Sequence, residues 1–214
     1  MKNLVVCVAL MSSLVACKKT DDKKPEAPAG SGSAPTPAPA PAPAPAVDPN
    51  ADHITVLARH KEAKPIDPVH LNFEKFKVVK AEFDPKKIEG GKASIEIDLS
   101  SFHTDSDKRD AHVKSPAFLD VGKFATATID VGNVKLQSGT TYAADANVSA
   151  HGVSKTLPVT FDVIEQKDDH IKIKGKHAFS RQDFSVGTDP AKDAEQQVSN
   201  DLEIELVLTI PVTK

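Results

Sequence analysis

Most of the chain after residue 50 is written in twos. Ala93, Ile95, Ile97 and Leu99 alternate with Ser94, Glu96 and Asp98. The same period recurs through Leu157, Val159, Phe161 and Val163, and again through Ile204, Leu206, Leu208 and Ile210. A strand places successive side chains on opposite faces, so such runs have one face to bury and one to leave in water. Further runs cover Ile54 to Val56, Val69 to Val79, Phe124 to Val131, Thr140 to Ala150 and His170 to Phe179. The links are short and polar: Gln137-Ser138-Gly139, His151-Gly152-Val153-Ser154 and Lys167-Asp168-Asp169. Links of this length join antiparallel neighbours. About eight half-buried antiparallel strands predict an all-β domain, an up-and-down barrel or a sandwich.

Two details modulate that reading. In the Val69 to Val79 run, Leu71 and Phe73 share one parity and Phe76 and Val78 the other. The switch predicts a bulge near Glu74 or Lys75. Gly90-Gly91 reads as a turn between strands. One segment fits a helix, Asp105 to Phe118, with Ser and Asp at its start to cap it and Pro116 to limit it. A second helical turn is expected near Pro190 to Gln197.

The first residues differ in kind. Lys2 precedes a short apolar run, Leu4 to Leu10, too brief to span a bilayer. The run leads to Leu14-Val15-Ala16-Cys17, which resembles a bacterial lipobox. Residues 1–16 are therefore expected to be a lipoprotein signal, with Cys17 the site of lipid attachment. A secreted protein with an unrelated cysteine is the alternative. Lys18 in place of aspartate favours the outer membrane, facing the periplasm. Of the two cysteines in the chain, Cys7 lies in the signal, so the folded part has neither a disulfide nor a thiolate metal site. Residues 17–50 carry a Pro-Ala repeat from Ala34 to Ala46. Proline fixes φ and removes a donor, so this tract is expected to be an extended spacer. Residues 51–214 are the expected folded domain.

Charge and motifs exclude several functions. The net charge of −3 gives no electrostatic case for nucleic acid. The eight histidines show no ligand spacing. Asp105, Asp107 and Asp110 faintly imitate a calcium loop, but Asp110 stands where glycine is needed and Pro116 where the bidentate glutamate is needed. Ser149 and His151 lack a nucleophile elbow. No cofactor, metal or catalytic residue is expected, and the chain does not read as an enzyme.

The inward parity is more informative. Ala125, Ala127, Ile129 and Val131 face the same way on one strand, and Tyr142, Ala144, Ala146 and Val148 on the next. Alanines there leave space for a ligand, unless large residues such as Phe161 or Phe179 fill it from opposite. The pattern alone leaves both open. Arg109, Asp110 and His112 form a compact polar group. Either Arg109 meets an anionic head group at the barrel mouth, or Arg109 and Asp110 pair to fix the loop and helix.

Three blocks carry a family resemblance. The first runs from Ser101 through Thr104, Arg109-Asp110-Ala111-His112 and Phe118-Leu119-Asp120 to Ile129. The second is Val148-Ser149-Ala150-His151-Gly152-Val153-Ser154-Lys155 and the third Ser180-Arg181-Gln182-Asp183-Phe184. Together they resemble the YceI-like family over about Val69 to Val212. Ser185 and Ala125 depart from it, standing where a glycine and a proline are usual.

The resemblance implies an antiparallel, eight-stranded, lipocalin-like up-and-down β-barrel with one or two short helices. It implies a cavity that holds a polyisoprenoid or an isoprenoid-quinone-like amphiphile for binding, transport or storage. Phe118, Phe124, Ala127, Ile129, Tyr142, Ala144, Phe161 and Phe179 are the expected lining. Arg109, His112 and Arg181 are the expected head-group contacts at the mouth. The rival reading is a structural or stress-related envelope lipoprotein with a closed barrel and no ligand.

Overall fold

A computed structural model describes residues 48–61, 68–189, 191–192 and 198–212. The expected signal, Cys17 and nearly all of the Pro-Ala spacer lie outside the described residues, as do most positions of the helical turn expected near Pro190 to Gln197.

The alternating runs form ten strands: β1 (His53–His60), β2 (Val69–Phe73), β3 (Phe76–Asp84), β4 (Lys87–Asp98), β5 (Phe102–His103), β6 (Thr126–Ser138), β7 (Thr141–Ala150), β8 (Val153–Gln166), β9 (His170–Ser180) and β10 (Val198–Pro211). They join one antiparallel sheet in the order β3-β4-β6-β7-β8-β9-β10-β1-β2-β5. The ends of that order are tied together by the chain. β2 lies near one end and β3 at the other, yet only Glu74 and Lys75 separate them. The sheet must therefore curl.

The expected count of eight is corrected by two breaks. The Val69 to Val79 run is not one bulged strand but two strands. At the break, the Lys75 amide donates to the Ser101 hydroxyl at 3.1 Å and its carbonyl accepts from the Asp98 amide at 2.9 Å. The strand that follows is cut as well, by a single 3-10 turn, Leu99–Ser101, capped by the Asp98 side chain. Both backbones leave their ladders at the same corner, where each satisfies the other.

Other boundaries move for local reasons. Gly90-Gly91 is not a turn but the interior of β4, pressed against β3. A Cβ on Gly91 would stand 2.8 Å from both the Phe83 Cβ and the Ile88 carbonyl oxygen, so glycine lets the strands approach. The helix is shorter than expected: α1 spans Asp107–Lys114, with the Ser106 hydroxyl accepting from the Arg109 amide. None of its residues is buried.

The inward parity behaves as an apolar face. Ile95, Ile97, Ala127, Val163, Ile171, Ile173, Leu208 and Ile210 form the core with Ile54 and Phe102. Each buried aliphatic side chain of this size contributes about 1.5–3 kcal/mol. Ala125, expected to face inward, is exposed instead, because β6 begins only at Thr126.

Candidate ligand cavity

The inward face does not close on itself. It leaves two adjoining spaces, an outer one of about 440 Å³ and an inner one of about 160 Å³. β1 and β2 contribute Ile54, Val56, Leu71 and Phe73 to the outer space, and the α1 corner contributes Val113 and Phe118. Phe83, Ile88, Ile171 and Ile210 surround the inner one. Ile129, Val148, Phe179, Phe184 and Ile204 line both and form the boundary between them.

Polar side chains line both spaces: Lys92, Thr160, Lys176 and His177 stand among the residues around the inner one, and more polar surface gathers in the outer one. Arg59, His60, Arg109 and His112 line it together with Arg181, and the first four reach solvent. A largely apolar cavity with a few polar groups is the form of a small-molecule site.

The expected lining residues divide. Phe118 and Ala127 line the outer space, Phe161 the inner, and Ile129 and Phe179 the boundary. Tyr142 shares the inward parity but stacks on Phe161, with rings 13° apart and centroids 5.8 Å apart, and lines neither space. Ala144 is packed into the core, and its neighbour in parity, Ala146, lines the inner space instead. Phe124 is a correction of a different kind, because it precedes β6 and never enters the interior. Its ring lies 4.5 Å from the His151 imidazole, beneath the Lys123 ammonium and over the face of Gly152.

The three expected head-group residues also separate. Arg109 lines the outer space and forms an ion pair with Asp105, one helical turn earlier, while 37% of its side chain stays exposed. It does not pair with Asp110. That carboxylate accepts from the Thr104 amide at 3.0 Å and the Thr104 hydroxyl at 2.6 Å, holding the loop before α1. His112 is exposed and meets Phe118 edge-on, with centroids 5.1 Å apart.

Arg181, 2% exposed, is not placed for a ligand. Its guanidinium donates to the carbonyls of Ser199 (3.0 Å), Val186 (2.6 Å), Thr188 (2.8 Å) and Val198 (3.2 Å). Burial pushes its pKa below the ordinary value, opposed by Asp189. Gly187 completes this turn, since at φ +67° a Cβ would lie 2.7 Å from that guanidinium and 3.1 Å from the Phe118 ring.

Sequence reasoning missed Arg59, His60, Phe184, Val148 and Ile204 as lining. The parity of Ile54, Val56 and Ala58 could have placed β1 on the cavity wall. Phe184 had no such signal, because it reaches the cavity from a 3-10 turn, Arg181–Phe184, that follows β9. Ser149 and His151 find separate partners, the Ser154 hydroxyl at 2.7 Å and the Phe184 carbonyl at 3.2 Å. Among the described residues no group of three or more His, Cys, Asp or Glu side chains is placed to hold a metal ion.

A model of the YceI-like domain matches residues 46–210. Among curated proteins, a UPF0312 protein of Yersinia pestis is 26% identical over 133 residues, 60% of this chain and 65% of that protein. A UPF0312 protein of Pectobacterium carotovorum is 27% identical over the same extent. The aligned part thus spans about 65% of these relatives' length. Among solved structures, Burkholderia cenocepacia BcnA superposes with a TM-score of 0.65 at 23% identity, covering 74% of this chain and 96% of BcnA. A polyisoprenoid-binding domain from Saccharophagus degradans gives 0.59 at 15% identity, covering 77% and 95%. The Campylobacter jejuni YCEI protein gives 0.61 at 19% identity, covering 72% and 90%.

Proposed function

The chain belongs to the YceI-like family, and from that premise we propose that it binds one long-chain amphiphile of isoprenoid type inside the curled sheet. The observation that carries this reading is the cavity, whose walls are predominantly apolar and whose arginine-bearing group of polar side chains lies in the outer space. The apolar tail leaves water for the interior, at about 25 cal/mol per Å² of surface buried. The head stays with Arg59, His60, Arg109 and His112. These side chains suit a phosphate or another anionic group, to which guanidinium donates in pairs. The S. degradans domain, described as polyisoprenoid-binding, supports the ligand class.

The act is sequestration and delivery rather than catalysis. A lipid on Cys17 would hold the domain at the envelope, with Pro-Ala residues 34–46 as the spacer that lets it stand off the bilayer. Two tests apply. Native mass spectrometry of the full-length protein, purified in mild detergent, should show one extractable amphiphile per chain; an empty cavity in every preparation would favour a closed structural lipoprotein. Cys17→Ser should move the protein from the membrane fraction to the soluble one, and a mutant that stays with membranes after a salt wash overturns the anchor.

A further inference from the structure

We propose that an apolar chain enters and leaves the interior sideways, through a slot in the wall between β8 and β9. The proposal rests on the amphiphile reading and adds to it the route that the ligand takes.

The slot follows from strand pairing. β8 and β9 pair from Gln166 opposite Ile171 up to Phe161 opposite Gly175, and there their ladder stops. Above it, among the described residues, 153–160 pair with β7 alone and 176–180 with β10 alone. A proline explains the break. The Val163 amide donates to the Thr140 carbonyl at 2.9 Å, on the β7 side. Backbone groups alternate along a strand, so Phe161, Val159 and Leu157 turn theirs to β7 as well, and Pro158 turns its own toward β9. Proline has no N–H to give, so β8 cannot complete a ladder on that edge.

Side-chain exposure marks the same place. Val163, Ile171 and Ile173 face inward below the last pair and are no more than 8% exposed. Leu157, Val159, His177 and Phe179 continue the inward parity above it and line the inner space, yet they are only half-buried. The opening is bounded: at its far end the Lys155 ammonium of β8 meets the Asp183 carboxylate of the turn after β9 at 2.5 Å. β4 and β6 also part, beyond Ala93 opposite Val131, but there Ile88 and Val134 are buried, and the Glu89 carboxylate accepts from the Leu136 amide at 3.4 Å. The β8–β9 slot is thus the break whose inward side chains still reach solvent. Its inner edge is apolar, through Leu157, Val159 and Phe179, and Thr160 and Lys176 are exposed at its rim. Phe179 borders both spaces, so a chain that passes it reaches either. A flexible hydrocarbon crosses such an edge by leaving water for apolar surface.

The test ties the slot shut. Residues 18–214 contain no cysteine, so Thr160→Cys with Lys176→Cys places two reactive thiols across the rim. The full-length double variant is loaded with geranylgeraniol and challenged with the deuterated alcohol, and native mass spectrometry follows the exchange. A short, reductively cleavable bis-maleimide bridges the thiols, spanning a separation beyond the reach of a disulfide. The bridge should slow exchange by about tenfold or more, because a blocked route shows in rates, while final occupancy stays the same. Cleaving the bridge should restore the rate. If the double variant does not fold, Leu157→Trp, which crowds the slot from inside, should slow release in its place. Exchange as fast with the bridge as without it, or release from Leu157→Trp as fast as from the parent, overturns the slot and leaves the amphiphile reading standing. A parent that retains no geranylgeraniol removes both.

Discussion

The α1 corner and the turn after β9 both present an arginine to the same cavity, and they treat it in opposite ways. Arg109 is held by one carboxylate just before its own helix and remains partly in water. Arg181 is out of water, and four backbone carbonyls occupy its donors. A guanidinium has five N–H donors in a rigid fork. Spent on carbonyls of one loop and of β10, they organise a chain reversal. Left largely free, they are available to an incoming anion. Which role an arginine plays is decided by how many of those donors the fold has already used.

Substitution separates the two regions most sharply at Arg181. Arg181→Gln removes donors from buried carbonyls and should cost about 3–5 kcal/mol, since breaking a buried charged network leaves its partners unsatisfied. For a domain of this size that lowers the melting temperature by at least about 6 °C. A loss below about 2 °C would show that the loop does not depend on it.

Next come two alanines of one parity. Ala144→Phe should overpack the core and cost about 1–3 kcal/mol. Ala127→Phe should fill outer cavity space, change stability by less than about 0.5 kcal/mol and reduce amphiphile occupancy. Equal destabilisation at both sites would mean that the interior is closed.

At Arg109 the stability effect shrinks again. Arg109→Ala should change unfolding by no more than about 0.5 kcal/mol, as for other exposed ion pairs. It should weaken uptake of an isoprenyl phosphate while leaving the corresponding alcohol unchanged. Loss of both in equal measure would assign Arg109 to the α1 corner alone.

The smallest effect lies at the β8–β9 turn. Glu165 and then Asp169 raise the His170 pKa above its ordinary 6.5 through hydrogen bonds of 2.9 and 2.7 Å. The folded state binds this proton more tightly than the unfolded chain does. Its stabilisation is thus complete below about pH 6.5 and fades as pH rises through the higher folded value. Unfolding curves of the parent should show that decline, and His170→Gln should remove it.

Period and composition made the strands readable from sequence because each buries one face along its whole length. The breaks at Glu74–Lys75 and Leu99–Ser101 were not readable as breaks, because they depend on hydrogen bonds between segments distant in sequence. Only the parity switch between Phe73 and Phe76 hinted at the first. Within the cavity, parity placed Ala127, Ile129 and Phe179 correctly on the inward face but could not say how deep Ala144 or Tyr142 would sit. Depth follows from the shear between strands, and no single strand records it. Ala125 was misplaced because alternation was extended past the start of β6, and Phe124, of the opposite parity, had no pattern to place it. Ser185 shows the reverse case. It departs from the glycine usual in the family, and its φ of 55° shows why glycine suits that place.

β1 lies against β10, His53 opposite Val207. The first strand of the domain therefore waits for the last. During synthesis the greasy interior stays open along one side until β10 has emerged, so this seam is among the last pairings of the domain to form. Pairings of such long sequence separation fold in milliseconds to seconds rather than microseconds. A circular permutant that joins β10 to β1 through a short linker would turn this remote pairing into a neighbouring one, leaving the tunnel walls unchanged while speeding their closure.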